Sequence, residues 1–424
     1  MTLKSIFQIF LLALAMLIAG YVRTAISPLQ EAMRLSLHLS DNQMALLQGP
    51  IIGVPVTLTA IPLGLLIDRA NRARLLLGLV TIAVAANFAT AFARDFTQLL
   101  STRAIAGVSA LAILPVVYSL VADHFAPHLR GRMITVATIG QIVGNSMAFA
   151  LGGELLVLAQ AHSGDWRTAL SWLAAPGVAV VLLMLLLREP PRLEEAKGTQ
   201  TIAGAWEELR HTRTLILMLS AGIICAEIAI GAMIIWASPM FSRTYAAAPD
   251  AIGFLMGSGM LISGVLGPVI GGGLADYCQR TGGTGRALLF LVLLAALGAP
   301  ASLFAFAPTF SWASALLMVS LTLMIGVAMM GITLVMNVVP DRLRGLCMSV
   351  LVAAILLFSL AVAPPLVSVL SNVLGGIDMI GKALSIVCVA AALGSTFAFF
   401  LARRYFKESV GAAGSTATGT VTAQ

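Results

Sequence analysis

Long apolar runs recur along the chain, separated by short clusters of charged and turn-forming residues. Each run is long enough to cross a bilayer as a helix. None alternates apolar and polar residues as a membrane-spanning β-strand does. The pattern predicts an all-α membrane protein with twelve transmembrane helices, at about 6–27, 44–66, 75–93, 98–121, 134–158, 168–187, 214–240, 251–275, 287–307, 312–338, 347–371 and 382–402.

The composition excludes ordinary soluble domains. Of the 424 residues, 59% are hydrophobic and only 10% are charged, against roughly 25% charged in an average soluble domain. The excess of 25 basic over 18 acidic residues fits positively charged cytoplasmic loops better than a nucleic-acid partner. The four cysteines show no pairing pattern or metal spacing, so we expect neither a metal nor a cofactor.

The charge distribution predicts the orientation. If both termini are cytoplasmic, the inner connections hold 18 of the 25 cations, as the excess of Lys and Arg in cytoplasmic loops requires. We therefore expect a multi-pass protein of the plasma membrane, the inner membrane in a bacterium. The expected layout is a six-helix half at 1–187, a cytoplasmic linker at 188–213, a second half at 214–408 and a disordered tail at 409–424. Within the linker, Trp206–Thr212 is predicted to form a short surface helix.

Two short charged motifs occur once in each half of the chain. The stretch Gly64–Arg74 follows the second predicted helix, and Gly272–Arg280 follows the eighth, 208 residues later. A second pair, around Gly131 and Gly345, follows the fourth and tenth helices at an offset of 214 residues. Two matched six-helix halves are typical of transporters that expose a midplane site to each side in turn.

The same motifs predict a cytoplasmic gate. A glycine lets two helices approach closely, an aspartate lies at a helix end, and the arginines can reach a neighbouring helix, so an ion-pair network would hold the inner side shut in one state. The alternative is ordinary inner-loop positive charge. The residues assigned to the gate are Gly64, Asp68, Arg69, Arg72, Asp123, Arg130, Arg132, Asp276, Arg280, Asp341 and Arg344.

These motifs resemble the major facilitator superfamily. Gly64–Arg74 looks like its signature loop between the second and third helices, and Gly272–Arg280 like the degenerate second copy. Arg103–Gly107 is similar to its Arg-xxx-Gly motif in the fourth helix. The resemblance covers essentially the whole chain and implies that superfamily's fold, in which two six-helix pseudo-repeats carry solutes across the membrane.

A narrower resemblance is to the spinster-like branch, whose members are linked to lysolipid and sphingolipid export. It rests on the stretches Leu39–Gly49, Tyr118–Phe125, Arg130–Arg132 and Arg188–Arg192. That branch commonly has an acid after the tyrosine of the first helix and another after the glycine of the fourth. Here the corresponding stretches read Tyr21-Val22-Arg23-Thr24 and Val108-Ser109, without either acid.

Glu227 is the candidate proton-coupling residue. It lies near the middle of the seventh predicted helix, where an ionisable side chain faces a cavity or a partner by default. Ser220, Glu227, Gly231 and Ser238 are spaced by 7, 4 and 7 residues, which puts them on one small, polar helical face. The alternative is a protonated glutamic acid that is hydrogen-bonded between helices.

Two arginines and several polar side chains are candidate solute ligands. Arg23 and Arg103 belong to the first and fourth helices, and two guanidinium groups would suit a carboxylate or phosphate. In the alternative interpretation, either arginine extends its charged group to the membrane interface and does not contact a solute. The other candidates are Gln141 and Asn145 on the fifth helix, with Tyr118 and Trp236 as weaker ones. Gly140 and Gly144 are assigned to helix packing.

The sequence favours a monomeric secondary transporter, coupled to protons and moving a small, organic, anionic solute by alternating access. The alternative is export of amphipathic, lipid-like or drug-like molecules, as the spinster resemblance implies. An enzyme would need a reactive constellation or a sizeable domain outside the membrane, and the longest loop has about 26 residues. The sequence shows no phosphate-binding loop, so we do not expect ATP to drive transport.

Overall fold

The computed structural model describes residues 3–190, 203–339 and 343–419, which are helical almost throughout. In these ranges the α-helices are α1 Leu3–Thr24, α2 Gln30–Ser36, α3 Asp41–Gln48, α4 Pro50–Arg69, α5 Arg72–Thr90, α6 Phe96–His124, α7 Pro127–Ala161, α8 Trp166–Ala174, α9 Pro176–Met184, α10 Ala203–Tyr245, α11 Pro249–Thr281, α12 Gly283–Ala301, α13 Phe310–Val338, α14 Arg344–Leu356, α15 Ala363–Leu374 and α16 Ile380–Gly419. The predicted all-α membrane fold is confirmed.

Eleven stretches in the described ranges are long and apolar enough to cross a membrane, and they match eleven of the predicted helices. The remaining one, at 44–66, is divided at Gly49 into α3 and α4. The side-chain oxygen of Ser40 caps α3 by accepting a hydrogen bond from the Gln43 amide, and Pro50 opens α4. Proline disfavours a helical conformation at the residue before it, which accounts for the break.

Prolines also interrupt two other predicted helices. The sixth is divided into α8 and α9, and α9 begins at Pro176. The eleventh consists of α14, a π-helical turn at Leu357–Val362 and α15, whose first turn contains Pro364 and Pro365. A proline has no amide hydrogen for the helical ladder, so the preceding turn loses its regular hydrogen bonding.

Two predicted boundaries differ from the structure. Residues 206–212 are helical, but they form the beginning of α10 instead of a separate surface helix. Helix α16 extends to Gly419 and so includes most of the segment expected to be a disordered tail. The central part of the linker, residues 191–202, lies outside the described residues.

The chain divides into two compact units that do not coincide with the two predicted halves. Unit 1 contains Met1–Gly198, Ile234–Ile262 and Leu360–Ala383, and unit 2 contains Thr199–Met233, Ser263–Ser359 and Leu384–Gln424. Two segments from the second half of the sequence therefore pack with the first half in unit 1. Their boundaries fall within helices, including the π-helical turn of the eleventh predicted helix.

Glycines bring α1 and α7 together in unit 1. A β-carbon on Gly140 would overlap the Ala13 carbonyl oxygen, and one on Gly144 would overlap that of Leu17. On the facing helix, Gly20 lies in the same way against the Gln141 carbonyl. The packing role predicted for Gly140 and Gly144 is thus confirmed.

Substitution of Gly144 with alanine is expected to destabilise the protein by about 1–3 kcal/mol, the usual cost of overpacking a tight interface. A lower Tm of the purified protein in detergent would report it. Gly131→Ala is the matched control, because Gly131 lies on the same helix with no neighbouring atom within 4 Å. There alanine should leave the Tm unchanged or raise it, since alanine favours the helix. Equal behaviour of the two variants would contradict the packing role.

Close glycine contacts also occur in unit 2. Gly267 lies against the side chain of Ile325, and Gly271 lies against the backbone of Gly326 on α13. Gly267 and Gly271 therefore let α11 approach α13 closely.

Candidate gating and solute sites

A buried ion cluster lies at the side of unit 1 that we predict to be extracytoplasmic. Arg243 on α10 donates to Glu31 on α2 (2.9 and 2.8 Å) and to both carboxylate oxygens of Asp41 on α3 (2.8 Å each). It also donates to the Ile377 carbonyl (3.3 Å). Arg34 completes the group with a 2.6 Å ion pair to Glu31. We call these four charged side chains the outer ion cluster.

The outer ion cluster joins the two halves of the sequence within unit 1. Glu31 and Asp41 flank the loop between the first and second predicted helices, whereas Arg243 ends the seventh. The side chains of Arg243 and Asp41 are only 7% and 2% exposed, so their hydrogen bonds are shielded from water. Removing one member of such a buried pair leaves an uncompensated charge, which is strongly unfavourable.

The charge state of Glu31 follows from its neighbours. Burial alone would raise the pKa of this carboxyl, but hydrogen bonds and charges from Arg34 and Arg243 outweigh burial and hold the pKa below its ordinary value. The stabilisation is therefore present above the unfolded pKa, about 4.3 for glutamate. It is lost only as the pH falls through the lower folded value. Glu31 is thus ionised near neutral pH and is not a proton carrier there.

A second ion cluster lies at the predicted cytoplasmic ends of helices in unit 1. Arg72 on α5 donates to Asp123 on α6 (2.5 Å), to Ser119 (3.1 Å) and to Glu189 (3.0 Å). The other oxygen of Glu189 accepts the Ala73 amide (2.7 Å). Four residues of this inner ion cluster belong to the first half of the sequence and the fifth, Glu189, to the start of the linker, so the cluster ties α5 and α6 to the linker.

Arg103 binds the backbone of a neighbouring helix. Its side chain is fully buried, and its two terminal nitrogens donate to the carbonyls of Val22 (3.2 Å) and Arg23 (3.1 Å). Its Nε has no partner in the described part of the chain. This geometry differs from the predicted contact with a solute, because a fully buried side chain has no surface to offer one.

The other candidate ligands fall into two groups. Arg23, Tyr118, Gln141 and Asn145 are partly exposed in unit 1, on α1, α6 and α7. The Tyr118 hydroxyl lies 3.4 Å from that of Thr138, which continues the polar stripe of α7. Trp236 differs, since it is fully buried and donates to the Pro364 carbonyl (3.0 Å). Its role is packing in this conformation.

The predicted polar face around Glu227 is only partly exposed. Glu227 is half-buried on α10 in unit 2. One turn later Gly231 is buried against the Ser359 carbonyl of the π-helical turn. Ser238 belongs to unit 1 and is 6% exposed. Because the backbone of Ser359 lies so close to Gly231, this part of the predicted polar face packs against the π-helical turn.

Comparison with known proteins agrees with the fold and the motifs. The sequence profile of the Major Facilitator Superfamily matches residues 12–345, which is most of the chain. The chain belongs to the Major Facilitator Superfamily. It shares 27% identity over 216 residues with protein spinster homolog 1 of Rattus norvegicus, covering 49% of this chain and 40% of the relative. It shares 29% over 193 residues with the 3-(3-hydroxy-phenyl)propionate transporter of Escherichia coli K12, covering 45% and 43%.

A solved structure of the superfamily has the same fold over almost the whole chain. It is a bacterial homolog of the human lysosomal transporter spinster, in an inward-facing and unoccupied conformation, with a TM-score of 0.81 at 20% identity. The match covers 96% of this chain and 98% of that one. The aligned regions span only about two fifths of the spinster homolog 1 sequences. The profile match confirms the predicted superfamily, and the chain is similar to spinster proteins in sequence and in fold.

The superfamily's signature loops bring few of the predicted gate residues together. Among the described residues assigned to the gate, Arg72 and Asp123 form an ion pair. Arg130 and Arg344 donate to the backbone carbonyls of Phe125 and Met336. Four other gate residues have exposed side chains, namely Arg69, Arg132, Asp276 and Arg280. The side chain of Asp68 and the whole of Asp341 lie outside the described residues.

The expected close approach at the motif glycines is also absent from the described residues. A β-carbon on Gly64, Gly131, Gly272 or Gly345 would meet no atom within 4 Å. In this conformation these glycines therefore bring no second helix close, unlike Gly140 and Gly144.

Sequence reasoning missed the outer ion cluster and Glu189. Counting loop cations left seven outside the inner connections, and Arg34 and Arg243 are two of these. The pairing of Arg243 with acids more than 200 positions away leaves no local pattern. Glu189 lies 116 positions from Ala73, whose amide it accepts, so no local pattern indicates that contact either.

Proposed function

We propose that this superfamily member is a secondary transporter that moves a small organic anion by alternating access and is driven by protons. The observation that carries the proposal is the outer ion cluster. It links a loop of the first half to a helix of the second half with four hydrogen bonds from one guanidinium group, and a fifth reaches the Ile377 carbonyl. Such a link closes one side of a transporter and has to break when that side opens.

The proposed charge of the solute follows from Arg103. Its hydrogen-bond partners among the described residues are carbonyl oxygens and not carboxylates, so these partners do not neutralise the buried cation. A buried positive charge creates a favourable potential for an anion near α1. The partly exposed Arg23, Gln141 and Asn145 on the same side of unit 1 supply the polar groups that would bind it directly.

Proton coupling is assigned to Glu227. The acids common in the spinster-like branch are absent from the first and fourth helices, and Glu31 is held ionised by arginines. Glu227 is an acid within a predicted span and is half-buried. A carboxyl at such a depth is able to exchange a proton between two environments.

A second candidate function is export of an amphipathic, lipid-like molecule. It is favoured by the likeness to spinster proteins, both in sequence and in fold.

The relative from Escherichia coli is named for a substrate with an aromatic ring and a carboxylate. That name favours the first proposal, since such a solute combines an apolar body with one negative charge.

The test is transport by the purified protein in proteoliposomes, with small aromatic carboxylates and single-chain lysolipids as two separate panels. An inward proton gradient is expected to drive accumulation of a carboxylate. In Glu227→Gln that accumulation should disappear, whereas exchange of labelled for unlabelled solute should persist, because exchange requires no net proton movement. Glu154→Gln is the matched control, since Glu154 is exposed near a helix end.

Each outcome separates the alternatives. Gradient-driven accumulation at the wild-type rate in Glu227→Gln would remove the proton role from Glu227. Movement of lysolipid alone, without response to the proton gradient, would replace the first function with the second. Failure of both panels in vesicles that contain folded protein would reject both candidate solute classes.

A further inference from the structure

A cleft in unit 1 contains none of the residues assigned to the solute or the proton, although Asp123 of the predicted gate lines it. Its volume is about 490 Å³, within the range of small-molecule sites. It lies at the ends of α1, α6 and α9 that we predict to be cytoplasmic. The lining residues that matter are Lys4, Phe7, Asp123, Leu186, Arg188 and Glu189. We call it the inner cleft.

The acids and the cations of the inner cleft differ in whether they form ion pairs. Its two acids, Asp123 and Glu189, are both paired with Arg72. Lys4 and Arg188 are exposed and have no ion-pair partner within residues 3–190, 203–339 and 343–419. The mouth of the cleft therefore carries two cations whose charge the described protein does not neutralise. Arg188 is held in place by its backbone, which donates to Gln8 (3.1 Å).

The same cleft has an apolar rim. Phe7 is 39% exposed and Leu186 is 53% exposed, and both belong to segments that are apolar along their length. Exposed apolar side chains on a membrane helix face the acyl chains of lipid. Cations at a helix end directly above such side chains match the arrangement of a phospholipid, with its phosphate at the interface and its chains below.

We propose that the inner cleft binds the phosphate-bearing headgroup of an anionic phospholipid, with Lys4 and Arg188 on the phosphate and Phe7 and Leu186 against the first methylene groups. The planar guanidinium of Arg188 offers two parallel donors to phosphate oxygens. An anionic lipid supplies the negative charge that the two cations lack. This site is independent of the proposed transport function, since none of its ligands is assigned to the solute or the proton.

The test uses the full-length protein in nanodiscs of phosphatidylcholine with or without phosphatidylglycerol. Native mass spectrometry would count the lipids retained after release, and thermal unfolding would report stabilisation. We expect wild-type protein to retain phosphatidylglycerol preferentially. The double variant Lys4→Gln, Arg188→Gln should lose roughly tenfold or more of that preference, because each cation contributes attraction to anionic lipid. Lys4→Arg with Arg188→Lys keeps both charges and should retain it.

Further measurements distinguish binding of the lipid from binding of free phosphate and from unspecific attraction. Arg94→Gln removes an exposed cation from the predicted opposite side and should leave retention unchanged. Stabilisation by inorganic phosphate equal to that by lipid, equal retention of phosphatidylcholine, or unchanged retention in the double glutamine variant would each overturn the proposal. If that variant does not fold, the salt dependence of the wild type decides. Retention that is insensitive to salt excludes a cation–phosphate site.

Discussion

Replacement of Arg243 with methionine is expected to open the predicted extracytoplasmic side of the protein. The substitution keeps an apolar stem of similar length but removes all five hydrogen bonds of the guanidinium group. Glu31 and Asp41 would then face each other without the cation between them. Removing one partner of a buried ion pair costs about 3–5 kcal/mol of stability. Even a discounted cost of about 3 kcal/mol shifts a two-state equilibrium more than 100-fold.

Cysteine accessibility measures this shift. With the four native cysteines replaced by alanine, Ser27→Cys provides a probe that is 2% exposed, four residues before Glu31. A membrane-impermeant thiol reagent is expected to label it faster in Arg243→Met than in the parent. Arg167→Met is the control, because Arg167 forms its ion pair with its near neighbour Asp165 and is more exposed (29%) than Arg243 (7%). Unchanged labelling in Arg243→Met would show that the cluster does not hold this side closed.

Replacement of Arg72 with methionine is expected to lower the stability of the protein without opening either side. The inner ion cluster joins the first half to the start of the linker and includes no residue of the second half, so no movement between the halves has to break it. Its acids are partly exposed, 13% for Asp123 and 24% for Glu189. Water screens part of the lost attraction, and the expected cost is about 2 kcal/mol instead of the full value for a buried pair.

The measurement is the Tm of Arg72→Met, which should fall clearly below that of the wild type. Arg69→Met serves as the control, since Arg69 is an exposed cation of the same loop and should change the Tm little. The triple variant that adds Asp123→Asn and Glu189→Gln removes the unpaired charges and should recover part of the loss. A fall in Tm equal to that of Arg69→Met would contradict the stabilising role.

The local part of the prediction succeeded because it rests on local physics. An apolar run of 18 residues or more, such as the one before Thr24, has to form a helix in a membrane, since hydrocarbon offers its backbone no other hydrogen-bond partner. The spacing of Gly140 and Gly144 likewise predicted a packing face, because residues four apart share one side of a helix. Neither inference needed knowledge of a distant neighbour.

The site was predicted less well, for the opposite reason. Arg103 was identified as important from its place in a span, but its partners are backbone carbonyls of another helix, which composition does not indicate. Arg72 and Asp123 were both selected. That they pair with each other, at a spacing of 51 positions, was decided by packing.

Hydropathy and short motifs are properties of neighbouring residues, so they were enough to predict an all-α membrane protein of the Major Facilitator Superfamily. Which charges meet depends on the folded chain. Arg243 lies 212 positions from Glu31 and 202 from Asp41, and only the packing of α10 against the first-half loop brings them together. Burial then decides the strength of that contact, since a charge shielded from water depends on its partner far more than an exposed one does.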